Sequence, residues 1–499
     1  MPKILIVGGG YAGFYTAWKL EKHLRNGEAE VTMVDPLPYM TYQPFLPEVA
    51  AGSIEPRHAV VAHRRHLKKT NVVTAKVTYI NHAEKKATIQ PPLGEAYDFE
   101  YDQIVITAGA VSRTFPIPGV ADEALGLKTI EEAVAIRDRM LTNFDRAAQL
   151  PAGALRDRLL TVTVVGGGFA GIEVFAELRS FASALIKFYP QLTFDDIHFN
   201  LVEAAPRIMP EVSLETSHWV LKNLAERGAK VYLETQFSSC VDGNVELSDG
   251  TKFESDLIIW TAGVMATPQI VRNTDLPVEG RGRLVTRADL RIGTEDEIFE
   301  GAWGAGDVTA VPDLSGGGVG GMCVPNAQHA VRQGRLLAKN VVAVLRGEQP
   351  KQYLHKNMGA VAGLGIGIGV FQSGKFSMKG FLAWVAHRGY HGLAMPTWER
   401  KWRVIWGWWH NVWLGRDIVG LSATLTPRRA FEEFASRPKP AEAPAPEAAA
   451  PKAEPKAKAA PAKKAAAKDE AAPAAEVKAP AAKKPAAKKA PAKKAEETK

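Results

Sequence analysis

Two glycine-rich loops are the residues of this sequence most clearly suited to chemistry. Each has the spacing G-x-G-x-x-G, with Gly8, Gly10 and Gly13 in the first loop and Gly166, Gly168 and Gly171 in the second. In such a loop the first glycine permits a tight turn, the second lets the backbone approach a pyrophosphate, and the third lets a helix pack on a strand. Free N–H groups at the positive end of the helix then bind the phosphates. The sequence therefore predicts two dinucleotide-binding sites in one chain.

An acidic residue at the end of the next predicted strand supports both sites. Asp35 ends the segment VTMVD, 22 residues after Gly13, and Glu203 ends HFNLVE, 32 residues after Gly171. The second interval exceeds the usual ~20 residues, and the segment ALIKFYPQLTFDD is expected to form an extended helix and loop there. A carboxylate at this position accepts a hydrogen bond from a ribose 2′-hydroxyl. Both acids predict an unphosphorylated ribose, and the nicotinamide cofactor is therefore expected to be NADH rather than NADPH.

The elements that must position these loops are also repeated. An apolar β-branched segment precedes each loop (KILIV and TVTVV), and a helix-like segment follows it. Farther on, IVITAG at 104–109 and IIWTAG at 258–263 are two apolar strands that end in glycine-containing turns at similar distances from their loops. This repetition predicts a duplicated dinucleotide-binding fold in which the second copy interrupts the first. The segment IFEGAWGAGD, with Gly306 and Asp307, is expected to close the first copy.

Length and composition limit the class of protein. The chain has 499 residues, 46% hydrophobic and 23% charged, which is enough for two or three globular domains. Its two cysteines, Cys240 and Cys323, cannot form a disulfide framework and indicate a reducing compartment. We expect no signal peptide, because the first strand begins at Lys3. No uninterrupted apolar run reaches the ~18 residues that span a bilayer, and no metal site is expected.

The net charge of +8 is concentrated in the C-terminal tail. From residue 441 onward there are 14 lysines and 8 acidic residues, so that the tail carries +6 and the rest of the chain only +2. The folded body is therefore not expected to bind nucleic acid. Residues 437–499 consist mainly of Ala, Pro, Lys and Glu, and this composition predicts disorder. The tail is either a solubilising segment or a binding segment for an acidic partner or anionic lipid.

Together, the nested loops, the Gly306-Asp307 motif and the C-terminal extension resemble the two-dinucleotide-binding-domain flavoprotein superfamily over about residues 3–340. The resemblance implies an α/β fold of two nested Rossmann-like domains. The first binds FAD, with Asp35 at the adenosine ribose and Asp307 at the ribityl chain, and the inserted domain binds NADH. The implied cofactor-binding residues outside the two loops are Asp35, Gln43, Ala108, Gly109, Glu203, Gly263, Asp307 and Ala327.

The expected domain division follows from this resemblance. Two segments form the FAD-binding domain, the inserted NADH-binding domain lies between them, and a membrane-association region and the tail follow. The expected bounds are 1–120 and 291–350 for the FAD domain, 121–290 for the insert, 351–436 for the membrane-association region and 437–499 for the disordered tail.

The cysteines exclude two branches of this superfamily. Disulfide reductases need a paired dithiol such as C-x₂-C, and sulfide:quinone reductases need cysteines at the flavin. Cys240 and Cys323 are 83 residues apart. We interpret Cys240 as a buried structural thiol, whereas the loop of Cys323 is expected to approach the flavin.

The segment PNAQHAVRQG at 325–334 resembles the AQ-x-A-x-x-Q signature of type II NADH dehydrogenases, and TYQPFLPEVAAG at 41–52 resembles a loop of that family. The resemblance implies that Gln328 and Gln333 hydrogen-bond a quinone carbonyl and that Asn326 caps a helix. It also implies that Glu173 lies near nicotinamide and quinone, where it orients the carboxamide or relays a proton. The alternative for Glu173 is a first-turn acid that the helix dipole stabilises. His329 departs from the small residue usual in this signature.

Seven of the eleven tryptophans lie between residues 384 and 413. At 100° per residue, one arc of the segment 398–413 collects Trp398, Trp402, Ile405, Trp406, Trp409 and Trp413. This face predicts a helix in the interface of a membrane, through residues about 380–415, with a homodimer contact and a core helix as alternatives. Residues 359–371 alternate like a strand. We therefore expect a peripheral protein on the cytoplasmic face of the cell membrane.

The leading functional hypothesis is a non-proton-pumping NADH:quinone oxidoreductase with bound FAD, NADH as substrate, and menaquinone or ubiquinone as acceptor. A second hypothesis is an NADH-dependent reductase for a protein acceptor such as a ferredoxin. A third is a non-catalytic NADH-sensing flavoprotein. Quinone-dependent NADH oxidation distinguishes the first hypothesis from the other two.

Overall fold

The computed structural model describes residues 1–316, 318, 320–355, 359–421 and 426–435. The chain divides into two compact units, Met1–Arg429 and Ala430–Lys499, and the second is described only at 430–435, as part of a helix. The tail predicted to be disordered, 437–499, lies outside the described residues.

The helices in chain order are α1 Tyr11–His23, α2 Leu46–Ala50, α3 His63–His66, α4 Val120–Glu123, α5 Ile130–Ala147, α6 Ala154–Leu159, α7 Phe169–Leu185, α8 Leu214–Glu226, α9 Pro268–Val271, α10 Ala327–Leu345, α11 Phe381–Ala394, α12 Trp398–Leu414 and α13 Arg429–Ala435. Short 3₁₀ turns occur at Gln43–Phe45, Pro56–Ala59, Ile186–Phe188, Phe194–Asp196 and Val241–Gly243.

The strands in chain order are β1 Lys3–Val7, β2 Glu30–Asp35, β3 Tyr39–Thr41, β4 Val60–Ala62, β5 Asn71–Thr74, β6 Lys76–Asn81, β7 Lys86–Gln90, β8 Tyr97–Glu100, β9 Gln103–Ile106, β10 Ala110–Ser112, β11 Ala124–Leu125, β12 Thr161–Val165, β13 His198–Val202, β14 Ala229–Tyr232, β15 Phe237–Ser239, β16 Asn244–Leu247, β17 Lys252–Glu254, β18 Leu257–Trp260, β19 Val264–Ala266, β20 Leu284–Val285, β21 Arg291–Gly293, β22 Ile298–Gly304, β23 Thr309–Ala310, β24 Ala360–Gly363, β25 Gly369–Ser373 and β26 Phe376–Lys379.

Two sheets repeat one arrangement. The first has the order β21-β22-β9-β1-β2-β5 and the second β11-β18-β12-β13-β14. In each, the strand before a glycine loop (β1 or β12) lies between two parallel neighbours, β9 and β2 or β18 and β13. Their β-branched and apolar residues are buried, as expected for parallel strands covered on both faces. The predicted α/β fold with two nested Rossmann-like units is confirmed.

Two short strands mark where the chain passes between the nested units. The antiparallel pair β10–β19 joins the chain where it leaves the first unit and where it returns. Beyond this pair, Ala266, Ile270, Leu276 and Leu284 are buried in one apolar cluster with Leu5 and other residues of the first sheet. Residues 266–284 therefore pack with the first sheet, and the bounds 121–290 for the insert stay a prediction. The sequence pattern could not show this packing, because the segment meets distant parts of the chain; Thr274, for example, pairs with Ile80 across 194 positions.

A three-stranded antiparallel sheet and two helices follow the nested units. Residues 359–371, predicted to alternate as a strand, form β24 and β25, which pair with each other. The turn between them contains Gly365 and Gly367 at φ +90° and +77°, backbone conformations that favour glycine. Helices α11 and α12 then pack against the body, with Val404 buried.

The predicted tryptophan face of α12 is exposed. Trp398, Trp402 and Trp413 are 72%, 62% and 70% exposed. The alternative that this face is core is therefore wrong, and the interfacial and dimer hypotheses stay open. On the inner side, the Trp408 indole donates to Glu48 Oε2 at 2.7 Å, and Asn411 donates to the Ser53 carbonyl at 2.7 Å. Among the described residues, no helix combines the length and the apolar character that crossing a bilayer requires.

Candidate active site

In the first glycine loop, close packing requires glycine at two positions, and the remaining glycine faces open space. A Cβ on Gly13 would lie 1.8 Å from the Gly8 carbonyl oxygen, and one on Gly8 would lie 2.6 Å from the Thr107 carbonyl oxygen. Gly8 also has a φ of +97°. No atom lies within 4 Å of a Cβ built on Gly10. The loop therefore reserves space at its second glycine, as a bound pyrophosphate requires.

Asp35 holds the first loop from the end of β2. Its Oδ2 accepts from the Gly9 N–H at 2.6 Å, and its Oδ1 accepts from the Leu37 N–H at 2.7 Å. Burial raises the pKa of this carboxyl above its ordinary value, against the lowering effect of these two N–H groups. Asp35 thus lies beside the phosphate loop, the position from which an acid contacts an adenosine ribose.

His63 supports the same loop, although no sequence pattern marked it as a functional residue. Its Nε2 lies 2.9 Å from the Gly9 carbonyl oxygen, which can only accept, so that Nε2 carries the proton. Burial lowers the pKa of His63 to about 4, and the neutral imidazole is favoured. No local pattern distinguishes His63 from the other basic residues around it, because its partner is 54 positions away.

The second loop reproduces the geometry of the first. A Cβ on Gly171 would lie 1.9 Å from the Gly166 carbonyl oxygen, whereas one on Gly168 would meet nothing within 4 Å. Glu203, at the end of β13, accepts from the Gly167 N–H at 2.5 Å and from the Ala205 N–H at 2.7 Å. The longer interval before Glu203 is occupied by the extended helix α7 and two short 3₁₀ turns, as the sequence predicted.

Both loops have open space at the neighbouring strand end as well. Gly109 follows β9 and Gly263 follows β18, with φ of +67° and +106°, and no atom lies within 4 Å of a Cβ built on either. Ala108 precedes Gly109, and its carbonyl accepts from Thr267 Oγ1 at 2.8 Å. Each unit therefore fits a dinucleotide, with an open glycine, an anchored acid and an open strand end on one edge of its sheet.

Asp307 lies at the junction of β22 and α10. Its side chain is 16% exposed; partial burial raises the pKa of its carboxyl, while the Lys128 ammonium, 3.8 Å away, lowers it. Gln43 Nε2 donates to the Lys128 carbonyl at 3.3 Å. Lys128, which the sequence did not identify, thus joins the loop 41–52 to Asp307. Asp307 makes no direct hydrogen bond to another described residue, as a carboxylate reserved for a ligand hydroxyl would.

Helix α10 begins as predicted, with the Asn326 side chain accepting from the His329 N–H at 2.8 Å, so the predicted cap is confirmed. The close approach of α10 to α1 depends on Gly334, because a Cβ there would lie 2.4 Å from the Ala12 carbonyl oxygen. This packing holds α10 at Gly334 against the start of α1, directly after the second glycine of the first loop.

The two signature glutamines have different partners. Gln333 is buried, and its Oε1 accepts from the Gly306 N–H at 2.8 Å. Gln328 is half-buried; it donates to the Gly359 carbonyl at 3.5 Å and accepts from Arg332 at 3.1 Å. Gln333 therefore lines a small cavity with Asp307 and Cys323, whereas Gln328 faces the segment before β24.

His329 lies between these glutamines on the inner side of α10. Its Nδ1 is 2.9 Å from the Tyr353 hydroxyl, and its ring centroid is 4.3 Å from that of His355. Burial lowers the pKa of His329 to about 4. The departure from a small residue is thus accommodated by a polar partner in the segment after α10.

Glu173 lies one turn inside α7, which begins at Phe169, so the first-turn alternative does not hold. Its Oε1 accepts from the Gly363 N–H at 3.0 Å and lies 3.2 Å from His387 Nε2. Glu173 thus contacts β24 and α11, two elements that the sequence did not connect with it. Next to it, Glu48 lies 3.3 Å from Arg388, and Arg416 lies 3.0 Å from Glu177.

Both cysteines are free and buried. Burial raises the pKa of each thiol to about 11. Cys240 is fully buried, as predicted, and Cys323 borders the cavity beside Asp307. The two thiols belong to different apolar clusters and form no dithiol pair.

Comparison with known proteins agrees with this geometry. Residues 2–334 match the family described as pyridine nucleotide-disulphide oxidoreductase. A type II NADH:quinone oxidoreductase of Staphylococcus aureus is 32% identical over 377 residues, covering 74% of this chain and 89% of that protein. A probable NADH dehydrogenase of Dictyostelium discoideum is 27% identical over 425 residues, covering 83% and 90%.

The chain belongs to the type II NADH:quinone oxidoreductases of the pyridine nucleotide-disulphide oxidoreductase family. The solved structure of NDH2 from Plasmodium falciparum in complex with NADH shares its fold, with a TM-score of 0.76 at 19% identity, over 84% of this chain and 99% of that one. This oxidoreductase is an FAD-dependent enzyme that uses NADH, and the predicted family, fold class, enzyme class and cofactors are confirmed.

Proposed function

We propose that this oxidoreductase transfers two electrons from NADH to a quinone at the surface of a membrane and moves no protons across it. The main observation behind this proposal is that one chain contains two equivalent loops. Each has open space at its second glycine and an acidic side chain that accepts a hydrogen bond from the loop backbone. FAD, when bound, accepts hydride from NADH and passes two electrons on. The overall reaction converts NADH, one proton and a quinone into NAD⁺ and a quinol.

The division of labour that we propose assigns FAD to the first unit and NADH to the second. Residues up to about 112, together with those from 264 to about 350, would bind FAD through Gly10, Asp35 and Asp307. Residues 113–263 would bind NADH through Gly168 and Glu203. The packing of the segment after 263 with the first sheet supports these bounds.

The quinone side that we propose lies around the first turn of α10. Gln328 would donate to a quinone carbonyl, since its amide nitrogen makes a long 3.5 Å bond to Gly359, its one acceptor among the described residues, which it could exchange. Gln333 would act differently, because its oxygen already holds Gly306 beside Asp307. Glu173 would position the nicotinamide or relay a proton, and its contact with the His387 imidazole supports either role.

Attachment to a membrane surface through α11 and α12 is the third part of the proposal. The tryptophan face of α12 is exposed beside Phe381, Leu382 and Leu393 of α11, which are 61%, 66% and 69% exposed. Indole rings favour the region between headgroups and acyl chains. The expected site is the cytoplasmic face of the cell membrane. A second copy of the chain, in a homodimer, is the competing occupant of this face.

A single assay tests the reaction. Purified holoenzyme is mixed with NADH and either a menaquinone or a ubiquinone analogue, and NADH oxidation is followed at fixed oxygen. We expect oxidation that depends on the quinone and produces one quinol per NADH. Oxidation supported only by a ferredoxin, or flavin reduction without turnover, would overturn the proposal.

A further inference from the structure

A group of basic side chains lies at and beside the N-terminal half of α12, and all but the half-buried Arg400 are exposed. We call it the basic cluster. Its members come from the turn Pro56–Ala59, from α3 and the residues after it, and from α12: they are Arg57, Arg64, Arg65, Lys68, Arg400 and Arg403. The side chains of Arg57, Arg65 and Arg403 are 89%, 60% and 50% exposed.

Specific contacts join the three segments. Arg400 donates to the Arg57 carbonyl at 2.7 Å, which fixes the first turn of α12 against the turn 56–59. Glu399 forms ion pairs with Arg65, at 2.9 Å, and with Arg403, at 3.0 Å. These contacts bring Arg57, Arg65, Arg400 and Arg403 together from three segments, and Arg64 and Lys68 adjoin Arg65 along the chain.

The basic cluster has more cations than its acids can neutralise. Its acidic neighbours are Glu399 and Glu55, which lies 3.5 Å from Arg57. Six cations against two carboxylates leave an excess of four positive charges. The like charges act on nearby groups as well, since Arg65, Arg400 and Lys68 add to the effect of burial in lowering the pKa of His66. This excess charge indicates an anionic partner.

The position of the basic cluster relative to the tryptophan face indicates which kind of anionic partner it binds. Arg403 follows Trp402 directly and lies about 60° from the edge of that face at 100° per residue. On the other flank, Lys401 Nζ is 4.9 Å from the Trp398 ring centroid. Trp398 and Trp402 are themselves 72% and 62% exposed. Cations beside an exposed apolar stripe of one helix fit the boundary of a bilayer, where rings enter the acyl region and cations reach the phosphates.

We propose that the basic cluster binds the phosphates of anionic phospholipids and makes the membrane contact selective for a negatively charged surface. This inference rests on the membrane attachment proposed above and adds the lipid class. A second copy of the chain fits less well, because it would bring another excess of positive charge to the same interface. Nucleic acid fits less well because it leaves the neighbouring tryptophan face uncovered.

The test compares full-length holoenzymes. The cluster variant carries Arg57→Gln, Arg64→Gln and Lys68→Gln, and a matched control carries Lys222→Gln, Lys230→Gln and Lys252→Gln, three exposed lysines of α8, β14 and β17. Both variants lose the same charge and keep the lysine-rich tail. Binding is titrated with phosphatidylcholine vesicles and with vesicles containing phosphatidylglycerol, at low salt and at 1 M salt.

Each juxtamembrane cation contributes about fivefold to partitioning onto an anionic surface, so that the cluster variant should bind phosphatidylglycerol vesicles at least about tenfold more weakly. The cluster variant should bind phosphatidylcholine vesicles and reduce a water-soluble quinone as the unmodified enzyme does. The control variant should equal the unmodified enzyme in all of these measurements. Equal binding by the cluster variant, or an equal loss in the control, overturns the proposal. Failure of the unmodified enzyme to bind neutral vesicles at 1 M salt would instead overturn the membrane attachment itself, and absence of quinone turnover would overturn the reaction.

Discussion

The side-chain oxygen of Gln333 accepts a hydrogen bond from the backbone N–H of Gly306 across 2.8 Å. This bond ties the interior of α10 to the turn that presents Asp307. Gln328, five positions earlier on the same helix, has partners on another surface. The two glutamines of one sequence signature thus face different parts of the site.

The first prediction separates these two glutamines. Gln333→Ala leaves the Gly306 N–H without its acceptor, and a lost bond to a buried group costs about 1–3 kcal/mol. We expect weaker FAD retention, measured by flavin release during dialysis or mild heating. Gln328→Ala should keep its flavin and slow the reoxidation of reduced enzyme by quinone in stopped flow. A loss of flavin by the Gln328 variant, or unchanged retention in the Gln333 variant, would contradict this division.

The second prediction assigns the two glycine loops. Gly10→Val and Gly168→Val each put a side chain into open space, so both variants should fold. The Gly10 variant should purify without its yellow flavin, whereas the Gly168 variant should keep it and lose reduction by NADH. Gly13→Ala is the folding control, because its Cβ would meet the Gly8 carbonyl at 1.8 Å and should prevent soluble expression. The reverse pattern of colour and reduction would exchange the two assignments.

The third prediction concerns the choice of nicotinamide cofactor. Glu203→Gln replaces one carboxylate oxygen by an amide donor and removes the negative charge that repels a 2′-phosphate. A hydrogen bond to a charged group contributes roughly 1.5–3 kcal/mol, so the Michaelis constant for NADH should rise about 10- to 100-fold. The preference of the enzyme for NADH over NADPH should become smaller at the same time. Asp35→Asn is the matched control and should affect flavin retention, with the NADH constant little changed. Equal use of NADH and NADPH by the unmodified enzyme would refute the role of Glu203.

The fourth prediction is a pH dependence of stability from His63. Its pKa in the folded chain is about 4, against an ordinary value of 6.5. Between these values the unfolded chain binds a proton that the folded chain does not, so the unfolding free energy falls as the pH drops from 6.5 towards 4. The full effect is about 3 kcal/mol at 1.36 kcal/mol per pKa unit.

Urea denaturation at a series of pH values measures this dependence. His63→Gln keeps a donor for the Gly9 carbonyl and cannot titrate, and should therefore flatten the loss of stability below pH 6.5. His410→Gln, at an exposed position of α12, should leave the profile unchanged. A profile for the His63 variant that is as steep as that of the unmodified enzyme would exclude His63 as a source of the dependence.

The fifth prediction tests the tryptophan face. Replacing Trp402, Trp406 and Trp409 with Ser removes exposed indole area that should contribute roughly 25 cal/mol per Å² buried in lipid. The variant should leave vesicles at 1 M salt, where screening shortens to about 3 Å and electrostatic contacts are weak, yet still reduce a water-soluble quinone. The control Leu155→Ser, Phe188→Ser and Leu214→Ser removes other exposed apolar groups and should stay bound. If the tryptophan variant stays bound to vesicles, or if it is monomeric in solution where the unmodified enzyme is dimeric, the homodimer contact is favoured instead.

The sequence by itself determined the two nested units, the cofactor class and the position of Asp35 and Glu203 at strand ends beside the two loops. These features depend on local rules: a glycine spacing that only certain turns satisfy, an apolar strand before it and a carboxylate at the end of the next strand. The tryptophan face of α12 could likewise be predicted from the sequence, because helical periodicity groups its residues within one segment.

Only the tertiary structure decided how these parts meet. His63 under Gly9, Lys128 between Gln43 and Asp307, and His387 beside Glu173 are contacts across 54 to 214 positions. The same holds for the packing of residues 266–284 on the first sheet and for the basic cluster. No periodicity or motif spacing encodes such pairs, because each depends on how separate elements pack and on which side chain burial leaves within reach of a partner.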